Sequence, residues 1–206
     1  MNKNNLIRFA QSLLFLPFVT GTTVPMGRIL MNTTEETILT VFIQKENIEA
    51  DGFLAFNQVI DQKAKDSKAK AEAIDSYFES KDMPLLGMGM KMVEEAEKNN
   101  LDWRLLPAIA VRESTGGKFE CKKVSNNPFG WGSCKIGFDS NEEAIETVAR
   151  NLGGNNPNTE KHYDNKTTKQ ILRAYNPPSI VLRYAEQVIS IMNAIGPEDM
   201  TLAVNS

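Results

Sequence analysis

From Met83 to Ile195 apolar residues recur every three or four positions, the spacing that places them on one face of a helix. Leu85, Met88, Met92, Val93 and Ala96, with Met90 close by, predict a helix over 85–99 that Asn99-Asn100 ends. A methionine-rich stripe of this kind fills core space rather than forming a functional surface. Asp102 is placed to cap a second helix through Trp103, Leu105, Leu106, Ala108, Ile109, Ala110 and Val111, with Pro107 tolerable only near its start. That helix is apolar nearly all round, so it belongs at the centre of the domain. Ser114-Thr115-Gly116-Gly117 breaks it. Residues 115–140 hold five glycines and Asn126-Asn127-Pro128, and read as loops with room for a short hairpin. Ser140 with Glu143 three positions on forms a capping-box pattern ahead of Ala144, Ile145, Val148 and Leu152. Two further helices follow over 168–175 and 179–195, the second with Ile180, Tyr184, Val188, Ile191 and Ile195 inward.

The pattern before Met83 is different. Residues 33–42 fit a strand or a short helix, and 61–70 (DQKAKDSKAK) alternate charge with alanine, as a solvated helix or a linker does. Ala71, Ile74 and Phe78 then add an apolar face. Residues 31–82 are therefore read as a partly helical arm or linker, 83–196 as the domain, and 197–206 as a tail. At the start, Lys3 and Arg8 precede an uncharged run rich in Leu and Phe, the layout of an export signal. Gln11, Ser12, Pro17 and the Thr20–Thr23 stretch weaken it as a bilayer span, and no clean small-residue cleavage site follows. Residues 1–30 are thus a signal peptide or an N-terminal membrane anchor, the alternative being a buried helix.

Composition narrows the function classes. The chain has 206 residues, 41% of them hydrophobic and 24% charged, which excludes fibrous, multi-span and wholly disordered classes. Lys and Arg number 23 against 26 Asp and Glu, so no global basic surface exists for nucleic acid. Cys121 and Cys134, the two cysteines, lie 13 apart in the irregular stretch and fit no four-ligand zinc pattern. In an exported protein they read as a disulfide, and in a cytosolic one as two buried thiols. Together with the N-terminus they favour an extracytoplasmic address, secreted or anchored at the envelope. One histidine, His162, and no paired acidic motif give no reason to expect a metal or another cofactor.

Glu113 carries the candidate chemistry. It ends the most apolar helix, one residue before Ser114 and three before two glycines. A carboxylate delivered from an apolar helix into a glycine-lined opening is partly desolvated, which favours the protonated form that a general acid needs. The other reading is a polar helix end paired with Arg112 or Lys118, and position alone leaves both open.

The segment Ile109-Ala110-Val111-Arg112-Glu113-Ser114, followed by Asn126-Asn127-Pro128-Phe129-Gly130, resembles the lysozyme-like glycosidases that cut peptidoglycan. Its nearest likeness is to the bacterial endo-β-N-acetylglucosaminidase domain, with relatives among goose-type lysozymes and lytic transglycosylases. Ala174-Tyr175-Asn176, then Tyr184-Ala185 and Val188, resembles the Ala-Tyr-Asn segment of the transglycosylases and the cleft tyrosine of the glucosaminidases. The resemblance covers residues 85–195. It implies a mainly α, lysozyme-like (α+β) fold in which a central buried helix carries the catalytic Glu, with a loop or short-hairpin insertion. It makes Glu113 the acid that protonates the glycosidic oxygen and Tyr175 the residue that positions substrate or stabilises the charged sugar. Ser114, Asn127, Phe129 and Gly130 match the substrate-binding loop around the cleft. Trp131, beside that loop, offers a ring to stack on a sugar or to fill the core.

The implied partner is peptidoglycan or a related N-acetylated glycan, cleaved at β-1,4 bonds, with possible attachment to the membrane through the N-terminus and no nucleic acid. Departures from the family pattern are the compact Glu120–Cys134 segment and the two prolines after Asn176. A second acid is also not evident, although paired carboxylates about 5–9.5 Å apart are the common arrangement. Asp139, Glu142 and Glu143 are near only in sequence. A lytic transglycosylase giving 1,6-anhydro products and a non-catalytic glycan-binding module of the envelope are the alternatives.

Overall fold

The computed structural model describes residues 35–200, with side chains described from Phe56 onward. The export-signal or anchor reading of 1–30 and most of the 197–206 tail lie outside the described residues. The helices among the described residues are α1 Glu35–Glu79, α2 Gly89–Lys98, α3 Leu105–Ser114, α4 Asn141–Leu152, α5 Glu160–Tyr163, α6 Thr168–Tyr175 and α7 Tyr184–Ile195, with a single distorted turn at Trp131–Cys134 between α3 and α4. The protein is mainly helical, and no strand occurs among the described residues. No described helix is long and apolar enough to cross a membrane.

The chain divides into two compact units, and the second begins at Asp51 and takes in the described residues that follow it. At its centre α3 packs on α7, α2 and α4, and Leu105, Leu106, Ala108, Ile109 and Ala110 have no exposed surface. Pro107 is the third residue of α3, where its missing N–H breaks no intrahelical bond. The core also takes in Ala71, Ile74 and Phe78 of α1, so this charged helix contributes one apolar face. Gly89 allows the close approach of α1 and α2, since a Cβ there would lie 2.4 Å from the Ala71 carbonyl.

Helix ends differ from the sequence reading for identifiable reasons. The 85–99 helix begins at Gly89 because Met83–Leu86 forms turns and Gly87 takes φ +91°. Asp75 of α1 then caps α2 from outside, its Oδ1 accepting from the Gly87 and Gly89 N–H groups. Trp103 precedes α3 instead of starting it, and its Nε1–H donates to the Glu198 carbonyl at 3.1 Å. Ser140 caps α4 as its pattern indicates, while the Glu143 carboxylate reaches back to the Asp139 N–H at 2.6 Å. Thr167 and Gln170 form a complete capping box on α6. The last helix starts at Tyr184 rather than 179, because Pro177-Pro178 and a left-handed Arg183 (φ +63°) break it. Ile180, expected inward, is consequently 74% exposed.

Of the two readings of 115–140, loops and a short hairpin, the loops are what forms, and the α+β expectation gives way to helices and loops among the described residues. One backbone hydrogen bond, Phe138 N–H to the Ser125 carbonyl, is the nearest thing to a ladder. Left-handed backbone at Asn126, Gly130, Gly132, Ser133 and Cys134 cannot propagate a strand.

Candidate functional site

The end of α3 is tied into the irregular segment by Ser114. Its hydroxyl donates toward the Pro128 carbonyl at 2.8 Å and the Ala110 carbonyl at 3.1 Å, and accepts from the Gly117 N–H. Asn127 organises the segment from within: its Nδ2 donates to the Trp131 and Ile136 carbonyls and its Oδ1 accepts from the Trp131 N–H. Both side chains are buried behind the cleft with their polar atoms engaged, so they hold the loop in place rather than face a ligand. The Glu120 carboxylate accepts from the Asn127 N–H, and burial pushes its pKa up against that bond. Cys121 and Cys134 form a disulfide across this segment, a linkage that persists in oxidising compartments.

These ties shape a cleft of about 450 Å³ with Glu113 on its wall. Glu113 pairs with neither cation beside it in sequence. The Arg112 guanidinium lies over the Tyr184 ring at 5.7 Å and donates to Gln187, while Lys118 donates to the Lys81 carbonyl. The partner of Glu113 comes from α7: the Tyr184 hydroxyl donates to its Oε1 at 2.6 Å. Its Oε2 faces Gly130, where a Cβ would stand 3.3 Å away and φ is +62°. Glycine there keeps that oxygen uncrowded.

Tyr175 lies stacked on Tyr184, rings 6.0 Å apart and 13° from parallel, and its hydroxyl donates to the Phe129 carbonyl. Phe129 itself is fully buried and backs the cleft. Burial, and after it the negative charge of Glu113, pushes both phenols well above the ordinary tyrosine value. Tyr184 is pushed further by its hydrogen bond to Glu113, with Arg112 opposing. Both therefore stay neutral donors at neutral pH.

Trp131 lines the cleft, tilted against Tyr175 at 5.8 Å and Tyr163 at 6.5 Å. The structure thus gathers Glu113, Phe129, Gly130, Trp131 and Tyr175 at one opening and sets Ser114 and Asn127 behind it. It adds Tyr163, Asn176 and Ile180, which sequence reasoning did not select for the site. A tyrosine kept within the polar 153–167 stretch was the available sign for Tyr163. For the Tyr184 contact with Glu113 the sign was the inward position of Tyr184 on its helix.

Glu113 is the one carboxylate among the described residues lining the cleft. Glu143 is engaged at the start of α4, and neither Asp139 nor Glu142 reaches the lining. Among the described residues no three His, Cys, Asp or Glu side chains gather as a metal site would require. Chemically, the site offers one carboxyl group, the neutral phenols of Tyr163 and Tyr175 in its wall and of Tyr184 on Glu113, and a wall of rings. No protein-family model, no curated protein and no solved structure matches the chain.

Proposed function

We propose that the protein is a lysozyme-like glycoside hydrolase that works outside the cytoplasm and cleaves β-1,4 bonds of an N-acetylated glycan, peptidoglycan above all. The observation that carries this reading is the Glu113 carboxyl group, held at Oε1 by the Tyr184 hydroxyl and uncrowded at Oε2 beside Gly130. The Tyr184 hydrogen bond fixes the orientation of the carboxyl group and stabilises the carboxylate left once Oε2 has passed its proton to the glycosidic oxygen. As that proton is transferred, the bond from the anomeric carbon to the leaving oxygen breaks, and the sugar gains positive charge that the new Glu113 carboxylate offsets. The rings of Trp131, Tyr163 and Tyr175 supply flat apolar surface of the kind that sugar faces pack against.

The single carboxylate of the cleft favours a variant of this chemistry in which the substrate's own 6-hydroxyl or acetamido oxygen attacks the anomeric carbon. In that case the enzyme is a lytic transglycosylase, or a hydrolase that proceeds through the acetamido group. Digestion of purified cell-wall sacculi followed by mass spectrometry separates the outcomes: a reducing end marks hydrolysis, and a 1,6-anhydro end marks transglycosylation. Glu113→Gln is expected to lower release of fragments by about 10²-fold or more, with an unchanged circular dichroism spectrum. Comparable turnover by the folded variant would remove Glu113 from the chemistry and with it the assignment.

A further inference from the structure

Arg112 and Glu113 are neighbours in the chain, and their side chains reach one tyrosine at two different places. The Tyr184 hydroxyl donates to Glu113 Oε1 at 2.6 Å, while the Arg112 guanidinium lies over the Tyr184 ring, 5.7 Å from its centre. The guanidinium is anchored there, because its Nε–H donates to Gln187 Oε1 at 2.9 Å. Gln187 follows Tyr184 by three positions on α7, so the two share one side of that helix. The end of α3 thus grips a single turn of α7 twice, at the tyrosine hydroxyl through Glu113 and at its ring through Arg112. A cation beside a phenol stabilises the negative charge its oxygen gains on donating, which strengthens the O–H···O bond. Burial and then the Glu113 charge raise the Tyr184 phenol, and Arg112 acts in the opposite direction, as a charge that improves the donor must. Arg112 itself is not among the residues that line the Glu113 cleft.

Resting on the glycosidase reading, we propose that Arg112 is a positioning residue for the general acid: from outside the cleft it holds and polarises Tyr184, which in turn orients the Glu113 carboxyl group. The placement dictates a kinetic signature. A residue that does not line the cleft has no contact with bound substrate to lose, so its removal leaves KM unchanged. It acts instead on the step in which Glu113 gives up its proton, because Tyr184 stabilises the carboxylate which that step creates. The effect of Arg112 also passes through one hydroxyl, so it vanishes when that hydroxyl is absent.

The test is steady-state cleavage of soluble glycan fragments by the full chain. Arg112→Met keeps a long side chain and removes the charge, and its kcat is expected to fall about fivefold at unchanged KM. Arg112→Lys recovers part of the loss, because it returns a cation without the fork that reaches Gln187. Gln187→Ala, at an exposed position, removes the anchor alone and lowers kcat about twofold. In a Tyr184→Phe background Arg112→Met lowers kcat no further. An undiminished kcat in Arg112→Met, a loss that appears in KM, or a loss that adds in full to that of Tyr184→Phe overturns the proposal. A second readout needs no turnover. The chain has four tyrosines, so carbon-13 at their Cζ atoms gives four NMR signals, with that of Tyr184 assigned by Tyr184→Phe. This signal is expected to shift in Arg112→Met and in Glu113→Gln while that of Tyr77 stays in place. An unmoved Tyr184 signal in Arg112→Met overturns the proposal. A signal that responds to both substitutions, in a wild type that releases no product, upholds the Arg112–Tyr184–Glu113 linkage and refutes the glycosidase reading alone.

Discussion

Two phenols decide how Glu113 is presented. Tyr184 donates to Oε1, and Tyr175 stacks on Tyr184 while its hydroxyl is committed to the Phe129 carbonyl. Burial and the Glu113 charge raise both above their unfolded value, which for tyrosine is about 10. Below about pH 10 both states of the chain keep these protons, so the two groups add no slope to stability. Above it the unfolded chain releases protons that the folded chain retains, and stability falls by up to about 1.4 kcal/mol per pH unit for each phenol. Urea unfolding followed between about pH 8 and 11 is expected to show this alkaline loss, with a shallower slope in Tyr184→Phe, which has no proton to release. Equal slopes in the two proteins would mean that the fold does not hold Tyr184 neutral. At this scale Glu113 was legible because its environment is local: an apolar helix before it and glycines after it. Tyr163 and Ile180 reach the cleft through the packing of α5, α6 and the following loop, and an aromatic in a polar stretch was the one local mark of Tyr163, with none for Ile180.

The helices announced themselves through spacing and caps, the Glu120–Phe138 segment did not. Ser140-Glu143 and Thr167-Gln170 are short-range patterns, and α4 and α6 begin where those patterns place them. The irregular segment is instead fixed by contacts with no periodic trace: the three hydrogen bonds of the Asn127 side chain, Asn126 Nδ2–H to the Phe138 carbonyl, and the Cys121–Cys134 bridge. Left-handed residues from Gly130 to Cys134 leave no run long enough for a strand there, a property that no count of apolar positions reveals. The bridge carries a consequence for function, because Trp131, Gly132 and Ser133 of the cleft wall lie just before Cys134. Cys121→Ser/Cys134→Ser is expected to lose roughly 3 kcal/mol, the chain-entropy value for a loop of this length. Fragment release should fall more steeply than helicity, since the released loop moves the cleft wall but not the α3 core. Full activity in the doubly substituted protein would show that Asn127 holds the wall without the bridge.

Across the whole molecule, the density of buried positions rises sharply at Met83, and that change of texture is what the sequence makes visible. Ala71, Ile74 and Phe78 lie on the other side of it, on one face of the charged and alanine-rich last third of α1. Their burial is a tertiary fact: Asp75 between them caps α2, Gly89 lets the helices approach, and Phe78 has no exposed surface. The central helix alone does not close the core, because α2 needs this cover on its outer side. Phe78→Ala removes a fully buried ring and is expected to cost about 3–5 kcal/mol. At roughly 2–4 °C per kcal/mol for a chain of this size, calorimetry should show a melting transition lowered by about 6–20 °C. A chain starting at Met83 loses all three side chains and the α2 cap together, and should lack a cooperative transition. If it melted like the full chain, α1 would be an appendage, and the helices from α2 onward would hold Glu113 and Tyr184 together unaided.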